Sequence, residues 1–227
     1  MSFTLQGQIF SSSTVEYKLE QKDANPWALG FYLGYNFLQY SIETKPDVTL
    51  LNEPTAESKT NGGFNIGLMV KKRITDHFDI RFEPGAVLVD RTITFTKLDP
   101  LINSQKERKK PATFVYLPLI FDFHGNRYKN TRPYIAAGAS YWHNLQSQQK
   151  STNDNQNGTF RTKTSNFAAE AELGVSIYFE KFKLTPFVKG VFFLNNELVQ
   201  DNAGTIQQAE TIKDIRTNGI MLGLKFE

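Results

Sequence analysis

Few residues in this 227-residue chain have the chemistry of nucleophiles or metal ligands: there are three histidines, His77, His124 and His143, and no cysteine. Without cysteine there are no disulfides, thiolate zinc sites or thiol nucleophiles. An acyl-transfer or lipase site on a small barrel needs a histidine beside a serine near the rim, and His143 with Ser140 is the candidate pair. The plainer reading is a rim histidine at the water interface. His77 and His124 fall in turns and no two histidines have metal-ligand spacing, so neither a metal site nor a cofactor is expected. Asn157-Gly158-Thr159 matches a glycosylation acceptor, a triplet frequent by chance, and reads as loop. The basic run Lys106–Lys110 (KERKK) reads as a solvated loop, with anionic lipid headgroups or a partner protein as the alternative.

The elements that carry these residues follow from composition and period. With 26 basic and 23 acidic residues the formal charge is only +3, too even for nucleic-acid binding to be the default. Apolar residues make up 40% and charged residues 22%, enough for both a core and a surface. The 19 Phe, 9 Tyr and 15 Gly favour strands separated by turns. The longest nearly apolar run, Phe114 to Phe123, is about half the ~20 residues that a membrane-spanning helix needs. Met1 to Phe10 has neither the basic start nor the apolar stretch of a secretory signal.

Period-two alternation recurs in eight segments, beginning at Trp27, Phe64, Phe78, Val115, Pro133, Phe167, Phe182 and Ile220. Each sets a bulky apolar phase against a phase of small and charged residues; Leu173 and Val175, for example, alternate with Glu172 and Gly174. Thr75-Asp76, Glu180-Lys181 and His124 to Thr131 are short connections. Thr44 to Asn61, Lys97 to Ala112, Gln146 to Ser165 and Asn195 to Arg216 are long and polar. The expected fold is therefore all-β: an eight-stranded antiparallel up-and-down transmembrane β-barrel in an outer membrane, with four long extracellular loops and short periplasmic turns. Residues 1–26 read as a periplasmic arm or leader remnant and 27–227 as the barrel domain.

A narrow eight-stranded lumen admits small residues and a few long ones, which matches the phase shared by Gly30, Gly34, Gly67, Gly85, Gly138, Gly174 and Gly223. The charges in that phase, Lys71, Arg73, Arg81, Lys183, Lys189 and Lys225 against Asp79, Glu83, Asp122, Glu170 and Glu172, nearly balance. They read as a cross-linked ionic plug rather than an open pore. Trp27, Tyr141, Phe179 and Phe226 suit interfacial girdles. Lys72 falls in the lipid phase at a strand end, from which it can snorkel. Phe187, Val191 and Phe193 put apolar groups in the inward phase, and a bulge near Gly190 would switch the faces there. A soluble lipocalin-like barrel would invert the orientation, but water-facing strands seldom need so many glycines.

Four stretches, Gly62 to Gly85, Val115 to Tyr141, Ala171 to Gly190 and the ending LGLKFE, together with Leu117-Pro118-Leu119 followed by Arg132-Pro133-Tyr134, resemble the PorT family, called SprT in gliding bacteria. The resemblance runs from about Trp27 to Glu227. It implies a non-enzymatic outer-membrane barrel of Bacteroidota required for type IX protein secretion, and for gliding motility where present. The implied partners are the lipid bilayer and other type IX secretion components, with no nucleic acid and no small-molecule substrate; the family brings no catalytic residues. A general structural or partner-binding outer-membrane barrel is the competing expectation.

Overall fold

The computed structural model describes residues 25–44, 55–96, 107–151, 161–200 and 212–227. Residues 1–24, Lys106 and the Asn157-Gly158-Thr159 triplet lie outside the described residues. The elements are β1 (Trp27–Thr44), β2 (Thr55–Arg73), β3 (Phe78–Phe82), β4 (Gly85–Thr96), β5 (Glu107–Lys109), β6 (Ala112–His124), β7 (Thr131–Asn144), β8 (Ser165–Tyr178), β9 (Lys183–Phe193) and β10 (Ile212–Phe226). All pair antiparallel in one sheet. β3 and β4 are one strand interrupted at Pro84, where the missing N–H breaks the ladder while Glu83 N and Pro84 O still bond across to Pro118 and Leu68. β5 and β6 are likewise interrupted beside Pro111, where Lys110 N bonds Arg91 O. β1 pairs with both β2 and β10, so the strands close into a ring of eight.

The connections at 74–77, 125–130 and 179–182 are short and lie at the end where β1 starts and β10 finishes. The described strand ends that the other four connections join lie at the opposite end. Short turns mark the periplasmic side and long connections the extracellular side.

The two phases separate as hydrophobic matching demands. Leu29, Leu68, Ile135, Phe167 and Leu173 face outward and exposed, while the charged phase is inside, the reverse of a soluble ligand-binding barrel. Trp27 stands at the periplasmic end of β1, with the Lys72 ammonium 5.2 Å from its ring centre, so this lysine caps an interfacial aromatic.

β1, β2, β4 and β10 reach past the alternation visible in the sequence, and β2 and β10 run into stretches expected as loops. Their outward positions there, such as Gln39, Glu43, Glu57, Lys59, Asp90 and Lys213, are polar because they stand above the hydrocarbon in water. The apolar–polar contrast disappears although the strand continues. Glu107–Lys109, expected as solvated loop, pairs with Thr92–Thr94 for the same reason.

A phase switch does occur, but in β2: the register shifts between Thr60 and Gly62, and Gly62 takes φ +88°, a left-handed conformation suited to glycine. The bulge expected near Gly190 is absent. β8 and β9 keep one register from Ala168↔Phe193 to Ile177↔Leu184, and Phe187, Val191 and Phe193 are buried in the lumen as packing groups.

Replacing Leu173, 59% exposed at the middle of the outward face, with arginine is expected to destabilise the barrel by about 2–4 kcal/mol. Guanidinium unfolding in liposomes measures it, with the inward Ala168→Ser change as a folded reference.

Candidate functional site

The lumen is where this fold concentrates its chemistry, and it is built in four storeys. At the periplasmic base, Lys71 of β2 lies 2.6 Å from Glu227, and Lys183 of β9 pairs with the same carboxylate. His124 Nε2 is 2.9 Å from Asp79 Oδ2. A cavity of about 290 Å³ opens here, lined by Lys71, Asp79, His124, Lys183 and Glu227 among others. Burial alone would raise the Glu227 carboxyl, but the adjacent Lys71 and Lys183 ammonium groups outweigh it and hold its pKa at about 2.

Above the base sits the central ionic storey. Arg81 spans three carboxylates, with Nε 2.7 Å from Glu83, Nη1 2.8 Å from Asp122 and Nη2 2.7 Å from Glu172. Lys189 reaches Glu83 at 3.0 Å and both Glu170 and Glu172 at 3.2 Å. Lys225 bridges Glu83 at 2.7 Å and Glu172 at 2.5 Å. Tyr116 and Tyr134 each donate a 2.6 Å hydrogen bond, to Glu170 and Glu172 respectively. Tyrosines fit because glycines stand opposite: a Cβ at Gly67 or Gly85 would come within 2.5 Å or 2.2 Å of Tyr32, which lies across both strands.

The third storey is apolar. Phe114, Trp142 and Phe193 meet with ring centres 5.1–6.3 Å apart, packed with Leu38, Val87, Val89 and Val191. At the extracellular mouth, Arg91 stacks 3.8 Å over Tyr40 and donates to Thr217, which donates to Glu197 at 2.5 Å. The segment carrying Glu197 folds in over the mouth: Asn196 Oδ1 accepts from Leu198 N and Ile215 N, and Leu198 joins Tyr40, Ile93, Ile212 and Ile215. Burial pushes the Glu197 carboxyl above its ordinary range, with Arg91 opposing.

The structure brings Lys71, Asp79, Arg81, Glu83, Asp122, Glu170, Glu172, Lys183, Lys189 and Lys225 into the lumen. Arg73 does not join them; it sits at the periplasmic rim, 2.7 Å from the exposed Asp76, because its strand ends there. Glu227 and His124 take part instead. Neither was legible as a lumen residue: Glu227 follows the last alternating position, and His124 looks like a turn residue although it closes β6 facing inward. Arg91 and Thr217 were hidden because they lie outside the alternating segments, and Glu197 because it falls in a stretch read as loop. Ser140 and His143 face opposite sides of β7. Ser140 is buried and accepts from Trp142 Nε1 at 2.7 Å, while His143 points outward, its Nδ1 3.2 Å from the Tyr141 hydroxyl. They cannot act on one substrate.

These features define a class: a small transmembrane β-barrel with an apolar belt outside and a side-chain-filled axis. Residues 13–199 match the family model described as outer membrane protein beta-barrel domain, and the chain belongs to that family. Its place is the outer membrane. Among solved structures, the outer membrane protein OprG from Pseudomonas aeruginosa is similar at 14% identity and a TM-score of 0.45, over 88% of this chain and 95% of that one. Neisserial surface protein A is similar at 12% identity and a TM-score of 0.45, over 88% and 98% respectively. No curated protein matches the sequence.

Two outcomes follow. Glu172→Ala strips a counterion from Arg81, Lys189 and Lys225 at once, and is expected to cost about 3–5 kcal/mol in urea unfolding, the penalty for stranding a buried charge. Because Glu227 titrates at about 2 when folded against an ordinary 4.5, its contribution is full above about pH 4.5 and fades as pH falls toward 2. The Glu227→Gln variant should therefore show a flatter stability curve than the parent across that window.

Proposed function

We propose that this protein is a sealed, non-enzymatic barrel that works by presenting its extracellular connections and periplasmic rim to partner proteins, and that those partners are components of type IX protein secretion. The observation that carries the first half is the filled axis. Trp142, Phe114, Tyr116, Arg91, Lys189 and Lys225 are all fully buried within the lumen, and they leave the ends of the barrel as the surfaces that can recognise anything. The separation of Ser140 from His143 supports a role without catalysis. The second half rests on the resemblance of Gly62 to Gly85, Val115 to Tyr141 and Ala171 to Gly190 to the PorT family; in that reading the barrel serves assembly or support of the translocon rather than passage of cargo.

Residues 1–26 are assigned to a periplasmic arm and 27–227 to the barrel domain in this proposal. The buried charges hold the plug together and are not a ligand site for a small molecule. The competing role, a structural or partner-binding barrel unconnected with secretion, shares every feature of the lumen.

Deletion of the gene is expected to abolish release of type IX cargo, and gliding where it occurs, with restoration by the Lys189→Met variant if that variant folds. Unimpaired cargo release in the deletion strain would overturn the secretion assignment. Purified barrel in planar bilayers is expected to show no stable unitary conductance, and a stable open level would overturn the sealed axis.

A further inference from the structure

Asp79 of β3 and Asp122 of β6 are direct cross-strand partners, and both side chains project into the lumen. Carboxylates opposed in this way repel, so the pair calls for a positive group between them. His124, two residues along β6 on the same face, places Nε2 2.9 Å from Asp79 Oδ2. A donor atom from each of Asp79, Asp122 and His124 lies within 4.8 Å of the other two.

The neighbouring cations reach this pair only in part. Arg81 takes the Oδ2 oxygen of Asp122 at 2.8 Å, and Lys71 lies 2.6 Å from Glu227 but 4.0 Å from Asp79. This leaves Asp122 Oδ1 and His124 Nδ1 buried without a hydrogen-bond partner. His124 Nε2 and Asp79 Oδ2, 2.9 Å apart, are close enough to serve as two ligands of one ion, and the unpartnered Asp122 Oδ1 is the third donor. The basal cavity, lined by both Asp79 and His124, supplies a path from the periplasm.

We propose that Asp79, Asp122 and His124 bind a divalent transition-metal ion of the zinc type, which clips β3 to β6 at the base of the plug. One imidazole with carboxylate oxygens suits zinc or manganese, whereas calcium and magnesium take all-oxygen sites. The ligand is neutral imidazole, so affinity falls as pH drops. An ion bound only by the folded barrel also raises its unfolding temperature by mass action.

The test is calorimetric titration of the full-length, chelator-stripped barrel in detergent with zinc chloride, with magnesium chloride as the hard-cation comparison. One zinc per barrel, little response to magnesium, a raised melting temperature and at least tenfold weaker zinc binding in both His124→Ala and Asp122→Asn are the expected results. Heat-dependent gel migration identifies variants that fold; if His124→Ala does not, the near-isosteric Asp122→Asn decides alone. Absence of zinc binding by the parent, or undiminished binding by the folded variants, overturns the proposal. So does binding that survives in His124→Ala but disappears in His77→Ala, which is capture by the exposed turn histidine.

Discussion

Charge neutralisation inside a ring too narrow for bulk water governs this molecule. Each ammonium, guanidinium or carboxylate that turns inward loses its hydration, and the loss is tolerable only where an opposite charge and hydrogen-bonding groups replace it. Arg81 illustrates the solution, since its three nitrogens each meet a different carboxylate supplied by β4's approach, β6 and β8. The alternative orientation would set the same groups against acyl chains. One register therefore satisfies both faces of every strand at once, and the bulky apolar phase is outside because the charged phase has nowhere else to go.

Geometry then dictates which other residues accompany the charges. Phenol rings extend from one strand across its neighbour, and the neighbour must be glycine at that level, as Gly67 and Gly85 are beneath Tyr32. The glycines of the inward phase are the sockets of the plug. The aromatic storey of Phe114, Trp142 and Phe193 lies between the ionic centre and the Arg91–Thr217–Glu197 arrangement at the mouth.

Alternation made the eight strands, their order and the inward identity of residues such as Lys189 and Glu172 legible, because lipid forces an uninterrupted contrast between the faces. That signal ends where lipid ends. Glu57, Asp90 and Lys213 sit on strands that meet water outside, and there a paired strand and a loop have the same composition. The extracellular storey was consequently invisible, and so was the bulge at Gly62. Phe187, Val191 and Phe193 failed in the opposite direction: their apolarity suggested lipid, whereas a lumen wide enough for side chains also holds an apolar layer. Pairings such as Glu227 with Lys71, or Asp79 with His124, depend on which strands become neighbours across the axis, and no local pattern encodes that.

The position of Lys225 on β10 carries a consequence for biogenesis. Glu83 and Glu172 both rely on this lysine, which arrives with the final strand, at the same seam where β10 zips onto β1. A chain still lacking that strand holds surplus negative charge at its centre as well as two open edges. Neutralisation of Glu83 and Glu172 and closure of the ring therefore rest on the same strand.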